Sequence, residues 1–72
     1  MANYQDQLLN GMRKEKISCQ VYLINGRQLS GTVKAFDNFV IILESAGKQN
    51  LIYKHAISTI TPMKSIKLQQ SE

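Results

Sequence analysis

The sequence predicts a mainly β domain: one N-terminal α-helix, then a strongly bent five-stranded antiparallel sheet that curls into an open barrel. Three observations carry this. Apolar residues recur at helical spacing up to Lys16, and from Ile17 they recur at every second position. The apolar runs are short and are separated by turn-forming stretches, "NG" at 25 and 26, "DN" at 37 and 38 and "AGKQ" at 46 to 49. Gly31 interrupts the second run, and a bend or bulge of that kind is what closure of a small sheet requires.

The helix is read over about residues 3–16, "NYQDQLLNGMRKEK". Asn3 suits the N-cap and Asp6 places an acid in the first turn. Leu8, Leu9 and Met12 form a narrow apolar stripe, which Gly11 weakens. Arg13, Lys14 and Lys16 complement the negative end of the helix dipole. In the first strand, "ISCQVYLIN", Ile17, Cys19, Val21 and Leu23 share one face, and Gln20, Tyr22 and Ile24 the other. The "NG" pair then gives the strongest short hairpin signal. The second strand, "RQLSGTVKAF", places Leu29, Gly31, Val33 and Ala35 on one face. "FVIILES", "NLIYKH" and "AISTIT" are the third, fourth and fifth strands, the last stopped by Pro62. The tail from 62 to 72 has no strong pattern and is expected to be flexible.

A chain of 72 residues is one domain at most and is marginal alone. With one Cys and one His, neither a disulfide nor a Cys/His metal site can staple it, so no cofactor or metal is expected. Self-association remains. An open five-strand barrel leaves sheet edges that invite pairing with another copy, and a closed oligomer uses both. "MANYQDQLLN" lacks the basic start and apolar core of a signal peptide, and no apolar run is long enough to span a bilayer. With a single cysteine, this points to the cytoplasm and away from the membrane. Nine Lys and Arg against five Asp and Glu give a formal charge of +4, which favours polyanionic partners, nucleic acid first.

Against this background, "YLINGRQLSGTVKAFDNFVIIL" and "YKHAIST", with "QDQLLNGMRKEK" upstream, resemble the bacterial Hfq family, RNA-binding members of the Sm and Sm-like proteins. "FDNFV" resembles the end of the first Sm motif and "YKHAIS" the bacterial form of the second. The resemblance covers residues 5 to 61 and implies an Sm-like domain over 1–61 that assembles as a homohexameric ring. It further implies single-stranded RNA as partner, both small regulatory RNA and mRNA, held on two faces and a rim so that their pairing is promoted in post-transcriptional regulation.

The family's proximal face takes U-rich RNA, and its matching positions are Gln5, Asn38, Phe39, Tyr53, Lys54 and His55. Phe39 offers a flat stacking surface, Lys54 three donors on a long stem, and His55 a donor to phosphate or ribose. On the residues alone, Tyr53 reads as a buried aromatic, Lys54 as a solvated charge and His55 as a strand-end residue. The distal face takes A-rich RNA and matches Tyr22, Asn25, Gly26, Gln28, Leu29, Ser30, Asn50, Ser58 and Thr59. Asn25 and Gly26 read equally as turn formers, and Leu29 as core. The rim matches Asn10, Arg13, Lys14 and Lys16, with fewer arginines than enteric members; Lys lacks the planar fork of Arg. Arg27 adds a charge at the hairpin lip. An enzyme would have to use the single histidine, His55, with Asp37 or Lys54, and no paired carboxylates support it. A peptide-binding module is the competing class; it tolerates being a monomer and shows little salt-dependent RNA affinity.

Overall fold

The computed structural model describes residues 4–66. Helix α1 (Tyr4–Glu15) is followed by β1 (Ser18–Leu23), β2 (Gln28–Phe36), β3 (Val40–Ser45), β4 (Lys48–Tyr53), a single 3-10 turn (Lys54–Ala56) and β5 (Ile57–Pro62). The strands make the single five-stranded antiparallel sheet expected, in the order β4-β3-β2-β1-β5. Asn3, read as the helix cap, lies outside the described residues.

Helix α1 is fixed by its stripe. Leu9 and Met12 are fully buried and Leu8 packs partly against the same core. Removing a side chain of this size from water contributes on the order of 1.5–3 kcal/mol. The helix stops on a left-handed residue, Lys16, with φ 54°. The Ile17 amide then donates to the Met12 carbonyl at 3.0 Å. This is a Schellman closure, and both residues it joins belong to the core cluster. The inward face of β1 supplies Cys19 and Val21, β2 supplies Val33, β3 supplies Ile41 and Leu43, and β4 supplies Ile52. Burial pushes the Cys19 thiol above its usual pKa, which keeps it unreactive.

The sheet bends at two register shifts rather than at Gly31 alone. In the β2–β3 ladder Val33 pairs with Leu43 but Ala35 with Ile42, so Lys34 is an extra residue. Past that bulge the faces exchange. Ala35, expected to point inward, is exposed, and Phe36 packs against the core in its place. In the β1–β5 ladder Tyr22 pairs with Thr59 but Leu23 with Ile57, so Ser58 is the extra residue there. Gly31 answers a different need. A Cβ at that position would overlap the Glu44 carbonyl of β3, so the two backbones approach as closely as they do only because the side chain is missing.

Several strand boundaries differ from the sequence reading. Phe39 belongs to the turn before β3. Lys48 and Gln49 are already in β4, because the turn needs only Ala46 and Gly47, both at positive φ (53° and 78°). Lys54 and His55 leave the sheet for the 3-10 turn. Pro62 is the last residue of β5, opposite Cys19. Beyond it the Met63 amide donates to the Ser18 carbonyl at 2.9 Å, and Ile66 packs against the core. Contact with the domain therefore continues to Ile66, further than the boundary at 61; residues 67–72 lie outside the described residues.

Candidate nucleic-acid interface

Asp37 builds the first part of the surface. Its Oδ1 accepts from the backbone amides of Phe39 at 2.8 Å and Val40 at 2.9 Å, and its own amide donates to the Val40 carbonyl at 3.0 Å. Those two amides, the Phe39 one first, hold the Asp37 carboxyl below the usual carboxylate range, and the Lys54 charge adds to this. The turn so fixed presents the Phe39 ring outward, 74% exposed. Asn38 is exposed beside it.

The 3-10 turn lies against this loop through a bond from the Lys54 amide to the Phe39 carbonyl, at 2.8 Å. The side chains at and beside it differ in role. Lys54 is not a solvated charge. Its side chain is only 11% exposed, its Nζ donates to Asp6 Oδ1 at 2.9 Å, and it lies 5.5 Å from the Phe36 ring centroid. Tyr53 is 56% exposed instead of buried, and its ring stacks on His55 with centroids 5.6 Å apart and planes 27° from parallel. Phe39, Tyr53 and His55 thus give exposed aromatic rings near one largely covered cation. Gln5 sits apart from them, in a groove of roughly 260 Å³ between α1 and β5 whose walls include Leu8, Ser58 and Thr59.

The second set divides between two sides of the sheet. Cross-strand pairing aligns Tyr22 with Gln28 and Thr59, and Gln20 with Ser30 and Thr61. Tyr22, Gln28, Ser30 and Thr59 therefore share the outward face of β2, β1 and β5. The Tyr22 hydroxyl donates to Gln20 Oε1 at 2.7 Å, which fixes the ring. Leu29 and Asn50 face the other way and line a pocket of roughly 530 Å³ with Arg27 and Gln49. Leu29 also packs against the core, as its alternative reading holds. Asn25 and Gly26 form the hairpin turn: Asn25 Oδ1 accepts from the Arg27 amide at 3.0 Å, and Gly26 has φ 91°. The Ser58 hydroxyl, at the bulge, donates to the Tyr22 carbonyl at 3.2 Å.

The basic set lies at the end of α1. Arg13 Nη2 donates to Asn10 Oδ1 at 2.6 Å, and Arg13, Lys14 and Lys16 are exposed. The sequence reading assigns no role to Gln20 and Thr61, which lie on the same outward face as Tyr22, or to Lys34, the extra residue of the β2 bulge. The first two were legible from the same alternation that places Tyr22 outward. Lys34 was not, because its direction depends on the bulge. Among the described residues no cluster of three His, Cys, Asp or Glu could hold a metal ion, and no helix is long and apolar enough to cross a membrane.

A helix laid on a strongly bent five-stranded antiparallel sheet, with rigid aromatics exposed at its turns, defines a small barrel of the Sm-like class. The sequence model described as Hfq protein matches residues 4–67, and the chain belongs to the Hfq family. A relative from Leptospira biflexa, named RNA-binding protein Hfq, is 64% identical over 70 residues, 97% of this chain and 84% of the relative. One of the same name from Bacillus subtilis is 60% identical over 67 residues, covering 93% and 92%. Among solved structures, a 1.55 Å crystal structure described as the pleiotropic translational regulator Hfq superposes with a TM-score of 0.79 at 44% identity, covering 82% of this chain and 98% of the other. An Anabaena Hfq structure, 22% identical with a TM-score of 0.74, shares the fold.

Proposed function

We propose that this chain is an RNA-binding chaperone that performs no chemistry of its own. As a homohexameric ring in the cytoplasm, it holds small regulatory RNA and mRNA together and promotes their pairing in post-transcriptional regulation. U-rich RNA occupies the proximal face, at Gln5, Asn38, Phe39, Tyr53, Lys54 and His55. A-rich RNA occupies the distal face, at Tyr22, Asn25, Gly26, Gln28, Leu29, Ser30, Asn50, Ser58 and Thr59. Asn10, Arg13, Lys14 and Lys16 form the rim. The Sm-like unit of residues 1–61 is extended by the segment to Ile66, which packs on its core.

The observation that carries this reading is Phe39. A large aromatic ring three-quarters exposed has no packing role in the protomer. The turn that carries it is nevertheless fixed by hydrogen bonds from the Phe39 and Val40 backbone amides to Asp37, so the ring is presented on a preorganised backbone as a platform for a base. Tyr22, half-buried and braced by Gln20, offers a second, less exposed ring on the outward sheet face. Membership of the Hfq family and the net charge of +4 agree with an RNA partner. Lys54 has a role between binding and architecture: its tie to Asp6 anchors α1 to the turn bearing His55.

The test is a two-RNA titration. Phe39→Ala should weaken a short oligouridine by about 1–3 kcal/mol, the usual worth of one base stacked on an aromatic, and leave an A-rich oligonucleotide unchanged. Tyr22→Ala should do the reverse. Equal losses on both RNAs would refute the assignment to two faces.

A further inference from the structure

We propose that Lys34 is an RNA-backbone contact that extends the rim across β2, and that Glu44 is its competing counter-ion. The inference deepens the rim reading above and rests on it.

The C-terminal end of α1 and the middle of β2 enclose a groove of roughly 330 Å³, lined by Arg13, Lys16, Thr32, Val33 and Lys34. Three cations from two separate elements line one depression, which a single helix end would not produce. Each has a structural reason to be there. Lys16 occupies the left-handed residue that closes α1, at φ 54°. Arg13 gives one donor to Asn10, and a guanidinium has five. Lys34 is the extra residue of the β2 bulge, and bulges re-aim side chains out of the strand alternation.

Phosphodiester is the ligand chemistry that matches. The groove offers donors and no carboxylate among its lining residues, and on the rim reading an RNA strand that joins the two faces passes along it. The carboxylate nearby is Glu44 on β3, whose Oε1 lies 3.2 Å from Lys34 Nζ. The Lys34 and Glu44 side chains are 47% and 37% exposed, so their attraction is screened and a phosphate competes on favourable terms.

The experiment compares a short oligouridine with a longer RNA in which the same oligouridine follows an unstructured stretch of mixed sequence. Binding of the full-length protein is measured over a salt series. Lys34→Gln, which removes the charge and keeps an unbranched polar side chain, should weaken the longer RNA about three- to tenfold at low salt. It should also make its salt dependence shallower, by roughly 0.7 in log–log slope per lost contact. The oligouridine should be unaffected, and Lys34→Arg should bind as the parent does. Glu44→Gln should tighten the longer RNA; no change there would overturn the competition. Arg13→Ala tests the underlying reading. If it weakens the longer RNA while Lys34→Gln does not, the rim stands and the extension falls. If both are silent, both fall. If Lys34→Gln weakens the oligouridine equally, the effect is structural and the proposal is overturned.

Discussion

Asp37 sets the geometry of the exposed Phe39 ring through two short bonds, and those bonds are also a pH-dependent source of stability. Its pKa is depressed in the folded protein, so its stabilising contribution is complete above the ordinary carboxylate value of 3.8. That contribution fades as pH falls through the depressed value, because the protonated carboxyl accepts from amides more weakly. The stability difference between the parent and Asp37→Ala, measured by chemical unfolding, should be constant from neutral pH down to about 4. Below that it should shrink. A difference that grows on acidification would mean that another group controls the turn. Lys16 shows the opposite relation between backbone and side chain. The left-handed position favours Gly or Asn, yet a lysine holds it, and its side chain lines the groove with Arg13 and Lys34.

At the scale of elements, the two glycines with crowded surroundings make contrasting predictions. A methyl at Gly31 would meet backbone, the Glu44 carbonyl of the neighbouring strand, which cannot yield without breaking the ladder. Gly31→Ala should cost about 1–3 kcal/mol, in the range of overpacked sites. A methyl at Gly11 would meet Ile66 Cγ2 at 2.8 Å, the end of a flexible side chain. Gly11→Ala gains up to about 1 kcal/mol of helix propensity while displacing Ile66. It should be neutral or mildly stabilising. Thermal unfolding at one protein concentration separates the two; a Gly11→Ala loss as large as that of Gly31→Ala would make Ile66 a structural anchor. These elements also mark what was legible. Helix, strands and hairpins followed from period and turn chemistry, which are local. The 3-10 turn at Lys54 was not legible, because bonds to Phe39 and from Ile24 to Ala56, both distant in sequence, decide it. The Lys54–Asp6 pair spans 48 positions and leaves no trace in spacing. The exchange of Ala35 for Phe36 follows from one extra residue, which alternation alone assigns to neither side.

For the whole molecule, the sheet ends matter most. β4 and β5 are its two edges, and neither has a second partner strand within the protomer. β4 carries Leu51 and Tyr53, each 56% exposed, and β5 borders the groove formed with Tyr4 and Leu8 of α1. An unpaired strand beside exposed apolar side chains at one end, and an unpaired strand beside an apolar groove at the other, are complementary in a head-to-tail sense. Repetition of such a heterologous contact closes into a ring when the rotation permits. With the ring size that resemblance to the Hfq family implies, native mass spectrometry should find a six-subunit mass that takes up oligouridine. Leu51→Lys, which places a charge in the proposed joint, should shift the population toward smaller species and weaken RNA binding with it, since each site gains from its repeated neighbours. A parent protein that is monomeric and indifferent to RNA would instead leave both edges available to peptide strands, and would make strand addition to β4 or β5 the activity to pursue.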